Sequence, residues 1–269
     1  MLKRRQLLLP LLVSALTSLT ASARDPIAYT LRFPDAAAHY MDVEMKFPTE
    51  GAQELDIFMP TWTPGSYLLR EYARNIISLT GSSSDGSPLE IVKTSKNRWN
   101  VDTEGADTVS IQYRMFCREI NVRNNWVESD FAVVNGAPTF LTVVDSYDRP
   151  YLVTVELPEG WETTASPLPS AGAPNSYSAP DFDTLVDSPL IAGSPQIDSF
   201  EVDGVRHSLV SIGGGGIWDN ARAAKNVHHL VEAQRAFWGS LPYDKPYVLF
   251  NVLNGSRGGL EHKQSMLMM

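Results

Sequence analysis

Met41-Asp-Val-Glu-Met-Lys-Phe47 is the stretch that decides the fold class, because every odd position is apolar and every even one is charged. Successive side chains of a strand point to opposite faces, so this pattern predicts a half-buried β-strand. The same alternation recurs at Leu55, Ile57 and Met59, and in residues 109–117 and 151–157. These segments predict antiparallel strands with one face on a core and one in water.

Short turn signals separate the predicted strands. They are Asp85-Gly86, Glu104-Gly105, Asn135-Gly136 and Pro158-Glu-Gly160. Several short strands at this spacing favour a mainly β domain, built as an antiparallel sandwich or an open, saddle-like pair of sheets. Residues 165–180 are rich in Pro, Ser and small residues and are predicted to form a surface loop.

A second pattern begins after Ser188-Pro189. Phe200-Glu-Val202 and Val205-Arg-His207 flank Asp203-Gly204, which is a two-residue hairpin signal. Further along, residues 247–253 predict a buried strand, and residues 260–269 predict another that runs to the end of the sequence. Since natural chains seldom end inside an element, we expect these 269 residues to be the first part of a longer protein.

Residues 219–238 predict an amphipathic helix. Apolar side chains recur there at three- and four-residue steps, from Ala223 and Val227 to Phe237 and Trp238. Asp219 is a suitable N-cap, and the following Gly239 is a typical C-terminal stop.

The N-terminus carries an export signal in residues 1–23. A basic start, Lys3-Arg-Arg5, precedes an apolar run in residues 7–19 and the small-residue pattern Ala21-Ser-Ala23. The run is too short and interrupted for a spanning helix of about 20 residues, although an N-terminal membrane anchor is the alternative. We therefore expect a periplasmic or secreted protein, with no stable membrane span once the signal is cleaved.

Charge and cysteine content exclude some partners. Without Lys3, Arg4 and Arg5 the chain has 19 basic and 31 acidic residues, a net charge of −12, which disfavours nucleic acid. Cys117 is the only cysteine, so an intrachain disulfide is impossible. It lies on the apolar side of an alternating segment, which indicates a small buried side chain rather than a nucleophile.

The residues do not assemble a recognisable metal or phosphate site. A zinc peptidase helix needs His-Glu-x-x-His, and the sequence has instead His228-His229-Leu-Val-Glu232, a possible two-ligand pair or a solvated helix face. The glycines of residues 213–216 are followed by Ile217-Trp-Asp219 rather than by Gly-Lys-Ser, which favours a flexible connector over a phosphate loop. We expect no metal to be bound by this chain.

Two segments closely resemble the glycyl aminopeptidase family of zinc metallopeptidases, which often carry a PDZ domain. The first is Pro60-Thr-Trp-Thr-Pro-Gly-Ser-Tyr-Leu-Leu-Arg-Glu-Tyr-Ala-Arg74, in which Pro64-Gly65 is a type II turn signal. The second is Gly258-Gly259-Leu260-Glu261-His262. Shorter agreements lie between them: Lys96-Asn-Arg98-Trp99, Val122-Arg123, Asn135-Gly136, Leu185-Val-Asp187-Ser-Pro189 and Gly239-Ser-Leu-Pro242-Tyr.

The resemblance implies a β domain in residues 24–190 and the truncated start of an α+β, thermolysin-like catalytic domain in residues 191–269. It implies a zinc-dependent aminopeptidase acting on peptides, with zinc held in the complete protein and a possible PDZ domain downstream. Glu261 would recognise the substrate α-amine, because a carboxylate at the end of a cleft binds a free ammonium group. Gly258, Gly259, Leu260 and His262 would line the substrate, the glycines allowing close approach of its backbone.

Two other functions remain open at this point. The β domain could be a non-catalytic binding module for proteins or peptides. A weaker alternative is carbohydrate binding through Trp62, Trp99 or Trp126, although aromatic residues in sandwiches mostly belong to the core.

Overall fold

The structure, a computed structural model, describes residues 24–255 and 257–269. The predicted export signal lies outside the described residues. In the described part, no helix is both long and apolar enough to cross a membrane.

The first two-thirds of the described chain is mainly β, as the alternating segments predict. It also contains two short 3₁₀ turns, Ala36–Ala38 and Tyr72–Asn75, and the short helix α1 (Phe182–Val186). The strands are β1 (Ile27–Arg32), β2 (Tyr40–Pro48), β3 (Glu54–Phe58), β4 (Ile76–Ser83), β5 (Pro88–Leu89), β6 (Ile91–Ser95), β7 (Arg98–Asp102), β8 (Thr108–Phe116), β9 (Trp126–Val127), β10 (Phe131–Val134), β11 (Thr142–Val143), β12 (Tyr151–Glu156), β13 (Thr163–Ala165), β14 (Ser176–Ala179) and β15 (Leu190–Gly193).

These strands form three sheets around one core. The largest sheet has the order β14-β12-β1-β2-β8-β4-β5, and two four-stranded sheets have the orders β13-β15-β10-β9 and β11-β3-β7-β6. The inward residues of β2 and β8 lie directly opposite one another, for example Val43 opposite Tyr113 and Met45 opposite Ile111. Burying each such side chain contributes about 1.5–3 kcal/mol, which explains why this pair of strands is central to the fold.

All pairs of neighbouring strands in these three sheets are antiparallel, except one. Strand β12 was expected to be antiparallel, but it runs parallel to β1, with Ile27 opposite Tyr151 and Leu31 opposite Val155. The alternation of apolar residues has the same period in both directions, so it could not indicate the direction of the partner strand.

A second core joins the β sheets to the rest of the chain. Strand β10 is buried at every residue because its two faces belong to different cores. Ala132 and Val134 pack in the first core, whereas Phe131 and Val133 pack in the second. This continuous apolar run lacks the alternation on which the sequence prediction depended.

The last third of the chain forms a five-stranded sheet and one long helix. The spatial order is β16-β17-β18-β20-β19, with β17, β18 and β20 mutually parallel. The predicted hairpin at Asp203-Gly204 is confirmed, since both residues have the positive φ that the turn requires. The elements are β16 (Gln196–Val202), β17 (Val205–Ile212), α2 (Asn220–Trp238), β18 (Tyr247–Val252), β19 (Gly259–Glu261) and β20 (Ser265–Met268).

The single strand predicted for residues 260–269 was wrong, because the segment is a hairpin. Strands β19 and β20 are antiparallel, with Gly259 opposite Met268 and Glu261 opposite Met266. The turn between them is His262-Lys-Gln264, which contains neither Gly nor Pro nor Asn. Its cause is a tertiary contact, described below, that the sequence pattern does not reveal.

Helix α2 begins and ends as predicted, but its apolar face is only partly covered. Asp219 accepts a hydrogen bond from the Arg222 N–H, and Gly239 takes the left-handed conformation. Leu230, Phe237 and Trp238 are 65%, 78% and 73% exposed. The helix is anchored at its first turn, where Asn220 is buried and its amide donates to the Asp198 carboxylate (2.9 Å) and to two backbone carbonyls.

One predicted turn is buried, and one predicted surface loop contains a strand. Asn135-Gly136 forms a turn inside the core, where Asn135 is buried and bonded to Asn124 and Asn125. The predicted loop of residues 165–180 contains strand β14, which pairs with β12. Polar residues at both places are satisfied by partners distant in sequence, such as Thr164 for Tyr177, so local composition was misleading.

Candidate functional site

Strand β19 forms one edge of the five-stranded sheet and carries the predicted site residues. Leu260 is buried in the second core, whereas Gly259 and Glu261 are exposed. His262 is buried, so it points away from Glu261, as the strand period predicts. None of the side-chain hydrogen bonds or ion pairs among the described residues involves the Glu261 carboxylate.

The Pro64-Gly65 turn of the first motif packs directly against β19. Thr63 O accepts from the Ser66 N–H at 3.0 Å, and Gly65 has φ +79°, which confirms the predicted type II turn. A Cβ on Gly65 would lie 2.8 Å from Leu260 Cδ1 and 3.1 Å from Glu261 O. Only glycine permits this approach, because both the conformation and the contact exclude a side chain.

A second segment, Val122-Arg123, supports the same strand. Val122 is buried, and a Cβ on Gly258 would lie 3.3 Å from Val122 Cγ1. Arg123 Nε donates to Ser66 Oγ at 3.1 Å, which ties this segment to the Pro64-Gly65 turn. The Pro64-Gly65 turn and the Val122-Arg123 segment therefore both contact the segment of residues 258–262, so three segments that carry the family resemblance lie together.

The segment of residues 185–189, which also carries the family resemblance, contacts the site through Asp187. Its carboxylate accepts from His262 Nδ1 at 2.9 Å and from the Lys263 backbone N–H at 2.8 Å. A carboxylate without a proton can only accept, so Nδ1 carries the imidazole proton. These two bonds hold the turn between β19 and β20 and explain the hairpin that the sequence did not predict.

Two carboxylates, those of Asp187 and Glu261, lie close enough to influence Tyr247. Burial raises the pKa of Tyr247 to about 12, and the neighbouring Tyr243, Asp187 and Glu261 add to this effect. The Tyr247 hydroxyl stays neutral and donates to Ser265 O at 2.9 Å. The exposed Glu261 carboxylate is by its own charge suited to a cationic group.

Histidines do not converge on a metal site. Within residues 24–255 and 257–269, no group of three or more His, Cys, Asp and Glu side chains could hold a metal ion. His228 and Glu232 do form the anticipated pair, at 3.5 Å, and His228 also stacks on Phe200. His207 also stacks on the Phe200 ring, and its Nε2 forms a hydrogen bond with the Tyr243 hydroxyl. Burial lowers the pKa of His207.

The remaining candidates, Cys117 and the three tryptophans, are mostly buried or packed against other side chains. Cys117 is buried, and burial raises the pKa of its thiol to about 12, which suits a core side chain. Trp99 is buried and Trp126 packs on His39, with ring centroids 5.0 Å apart. Of the three tryptophans considered for carbohydrate binding, Trp62 is the exposed one, at 46%.

Sequence reasoning proposed Glu261 and its neighbours but missed the residues that hold them. Asp187, Gly65 and Arg123 all lie in segments that carry the family resemblance, so their positions were noted without a role. No periodicity could show that they meet at β19, because 75 residues separate Asp187 from His262.

Comparisons with known proteins identify the family and the fold of the chain. The sequence profile of the peptidase M61 N-terminal domain matches residues 28–194. A solved aminopeptidase N family protein from Idiomarina loihiensis is similar over 90% of this chain, with 26% identity and a TM-score of 0.83. An M1 zinc metallopeptidase from Deinococcus radiodurans, solved with bound Tyr-Ser-Ala, shares the fold over 92% of this chain, at 12% identity and a TM-score of 0.50.

The similarity covers a part of each of those proteins. This chain spans 42% of the Idiomarina protein and 60% of the Deinococcus protein. No curated protein matches the chain significantly. Because the profile match covers more than half of the 269 residues, the chain belongs to the peptidase M61 N-terminal domain family.

Proposed function

We propose that this chain is the N-terminal part of an exported, zinc-dependent aminopeptidase that removes N-terminal residues from peptides. The observation that carries the proposal is the exposed, unpaired Glu261 carboxylate on an edge strand. The similarity to an aminopeptidase N family protein supports it. The narrower assignment to glycyl aminopeptidases, with a PDZ domain further along, rests on the two motif segments.

The proposed binding mode follows from the edge position. A peptide can add to β19 as a further strand, with main-chain hydrogen bonds along the edge. Its N-terminal ammonium group would then lie at Glu261, in a charge-assisted hydrogen bond that an internal peptide bond cannot form. In this arrangement residues 24–190 form the β domain and residues 191–269 open the catalytic domain.

Zinc does not fit the residues present, since the described residues offer no group of three ligands. In the proposal its ligands come from sequence beyond residue 269, and no catalytic step is derived from this chain. A non-catalytic peptide-binding module is the second candidate. It is favoured by the exposed apolar residues Tyr67, Leu68 and Leu69 beside the turn that contacts β19, which are 80%, 67% and 73% exposed.

The first test measures the selectivity of the chain for a free amine. A tripeptide amide with a free N-terminus should shift the backbone amide resonances of residues 259–261 on titration, and its N-acetylated form should not. Equal shifts with both peptides, or shifts confined to other parts of the chain, would contradict the role of Glu261.

We predict that the 269-residue chain binds no stoichiometric zinc and hydrolyses no peptide by itself. Zinc sites in peptidases need three well-placed protein ligands and one open position. Elemental analysis of the purified chain after dialysis measures the metal content directly. About one tightly held zinc per chain would overturn this prediction.

Export is predicted with cleavage after Ala23, on the basis of the basic start and the Ala21-Ser-Ala23 pattern. N-terminal sequencing of the protein recovered outside the cytoplasm should begin at Arg24. Retention of Met1 on membrane-bound material would instead support the anchor.

A further inference from the structure

Asp187 connects two parts of the chain that are 75 residues apart. It lies at the C-terminal end of α1, and its own N–H donates to Asp183 O and Leu185 O. The next residue, Ser188, donates its hydroxyl to Thr184 O at 2.7 Å. The backbone of Asp187 is therefore fixed by α1 before its side chain reaches the hairpin.

The carboxylate binds both groups that define the turn after Glu261. The side chain of His262 is 1% exposed, and Asp187 is 16% exposed, so water competes weakly for these bonds. His262 Nε2 is buried and has no partner among the described residues. Asp187 is thus the hydrogen-bonding anchor of the imidazole, and its removal would leave both ring nitrogens without a protein partner.

Glu261 is held from both sides as a result. Before it, Leu260 is buried in the second core and contacts the Gly65 turn. After it, His262 is bound by Asp187, and its N–H donates to Ser265 O at 2.8 Å. Because the flanking residues are fixed, the backbone of Glu261 is held in place, and its side chain leaves the strand on the exposed face before any ligand binds.

We propose that Asp187 is a positioning residue for amine recognition, which orients Glu261 and the free edge of β19 by binding His262 and the Lys263 N–H. The inference rests on the proposed function, since it concerns the same peptide amine. Preorganisation reduces the cost of ordering a binding group, and a displacement of about 1 Å can cost on the order of a hundredfold in rate. Asp187 does not itself contact the ligand.

The test compares Asp187→Ala with a matched control, Asp181→Ala. Asp181 caps the other end of α1, where it accepts from the Thr184 N–H at 2.7 Å. Both variants remove a carboxylate from the same helix and are expected to lower the melting temperature. Asp187→Ala should weaken binding of the free-amine tripeptide amide by about tenfold, whereas Asp181→Ala should leave it within about twofold.

Hydrogen exchange of the Lys263 amide gives a readout that needs no peptide. The amide should be protected in the parent chain and in Asp181→Ala, and should exchange faster in Asp187→Ala. If Asp187→Ala does not fold, Asp187→Asn keeps the volume and one acceptor oxygen. It should lose about threefold or more in affinity for the free-amine peptide.

The outcomes separate the two proposals. If the parent chain does not distinguish free from acetylated peptide, the proposed function fails, whatever Asp187 does. If the parent distinguishes them and Asp187→Ala or the folded Asp187→Asn does so equally well, the hydrogen bonds of Asp187 serve the hairpin alone and the inference is overturned. Loss of Lys263 protection together with loss of amine selectivity supports it.

Discussion

Gly136→Ala is expected to lower the free energy of unfolding by about 3 kcal/mol or more, one of the largest effects of any single methyl group in this chain. A Cβ at Gly136 would lie 2.5 Å from Val186 Cα, and 2.7 Å from the backbone oxygens of Leu185 and Val186. These atoms belong to the backbone, so no rotation of a side chain can relieve the contact. Either α1 or the Asn135-Gly136 turn must move to relieve the contact.

The Asn135-Gly136 turn cannot move freely, because the Asn135 N–H donates to Asn125 Oδ1 at 2.8 Å and the Asn135 side-chain amide donates to Asn124 O at 2.5 Å. We therefore expect α1 to be displaced, and with it the Asp187 carboxylate. Urea denaturation followed by tryptophan fluorescence measures the loss of stability. The matched control is Gly259→Ala, whose Cβ would meet Met266 Cε at an ordinary 3.5 Å, and which should change stability by about 0.5 kcal/mol or less.

Equal stabilities of the two variants would contradict the close packing of α1 on Gly136. A destabilised Gly136→Ala chain with normal protection of the Lys263 amide would show that α1 moves without carrying Asp187. The prediction thus links a buried glycine of the β domain to the geometry of the candidate site.

The sequence predicted those parts of the fold that depend on local periodicity. Strands β2, β8 and β12 alternate between core and solvent, and their apolar residues are buried as expected. Strand β10 was not predicted, because it is buried on both faces and does not alternate. Helix α2 was predicted with the correct ends, since caps are local, whereas the exposure of Leu230, Phe237 and Trp238 depends on packing, which is not local.

The candidate site was likewise predicted where it depends on local sequence, and not where it depends on tertiary contacts. The Glu261 segment was identified from its resemblance to a family motif, and the opposite orientations of Glu261 and His262 follow from the strand period. The hairpin turn after Glu261 was not predicted, because it depends on Asp187 rather than on turn-forming residues. A contact across 75 residues requires the folded structure, whatever the strength of the motif.

Glu261→Gln tests the proposed function at the residue on which it depends. Glutamine keeps the size of the side chain and one acceptor oxygen but removes the charge. A bound peptide would cover the exposed Glu261 carboxylate, and a hydrogen bond to a charged group contributes about 1.5–3 kcal/mol, so kcat/KM for free-amine substrates of a complete enzyme should fall roughly 10- to 100-fold. In the 269-residue chain the affinity for the free-amine tripeptide amide should fall by a similar factor.

The matched control is Glu201→Gln, because Glu201 is an exposed carboxylate on β16, at the opposite edge of the same sheet. It removes the same charge from the chain and should leave affinity and kcat/KM unchanged, which separates a local effect from the loss of overall negative charge. N-acetylated peptides should be poor ligands of the parent and should gain relative to free-amine peptides in Glu261→Gln. Since the charge is the feature that distinguishes an amine anchor from a solvated strand residue, a Glu261→Gln variant with full activity and unchanged preference would place amine recognition elsewhere.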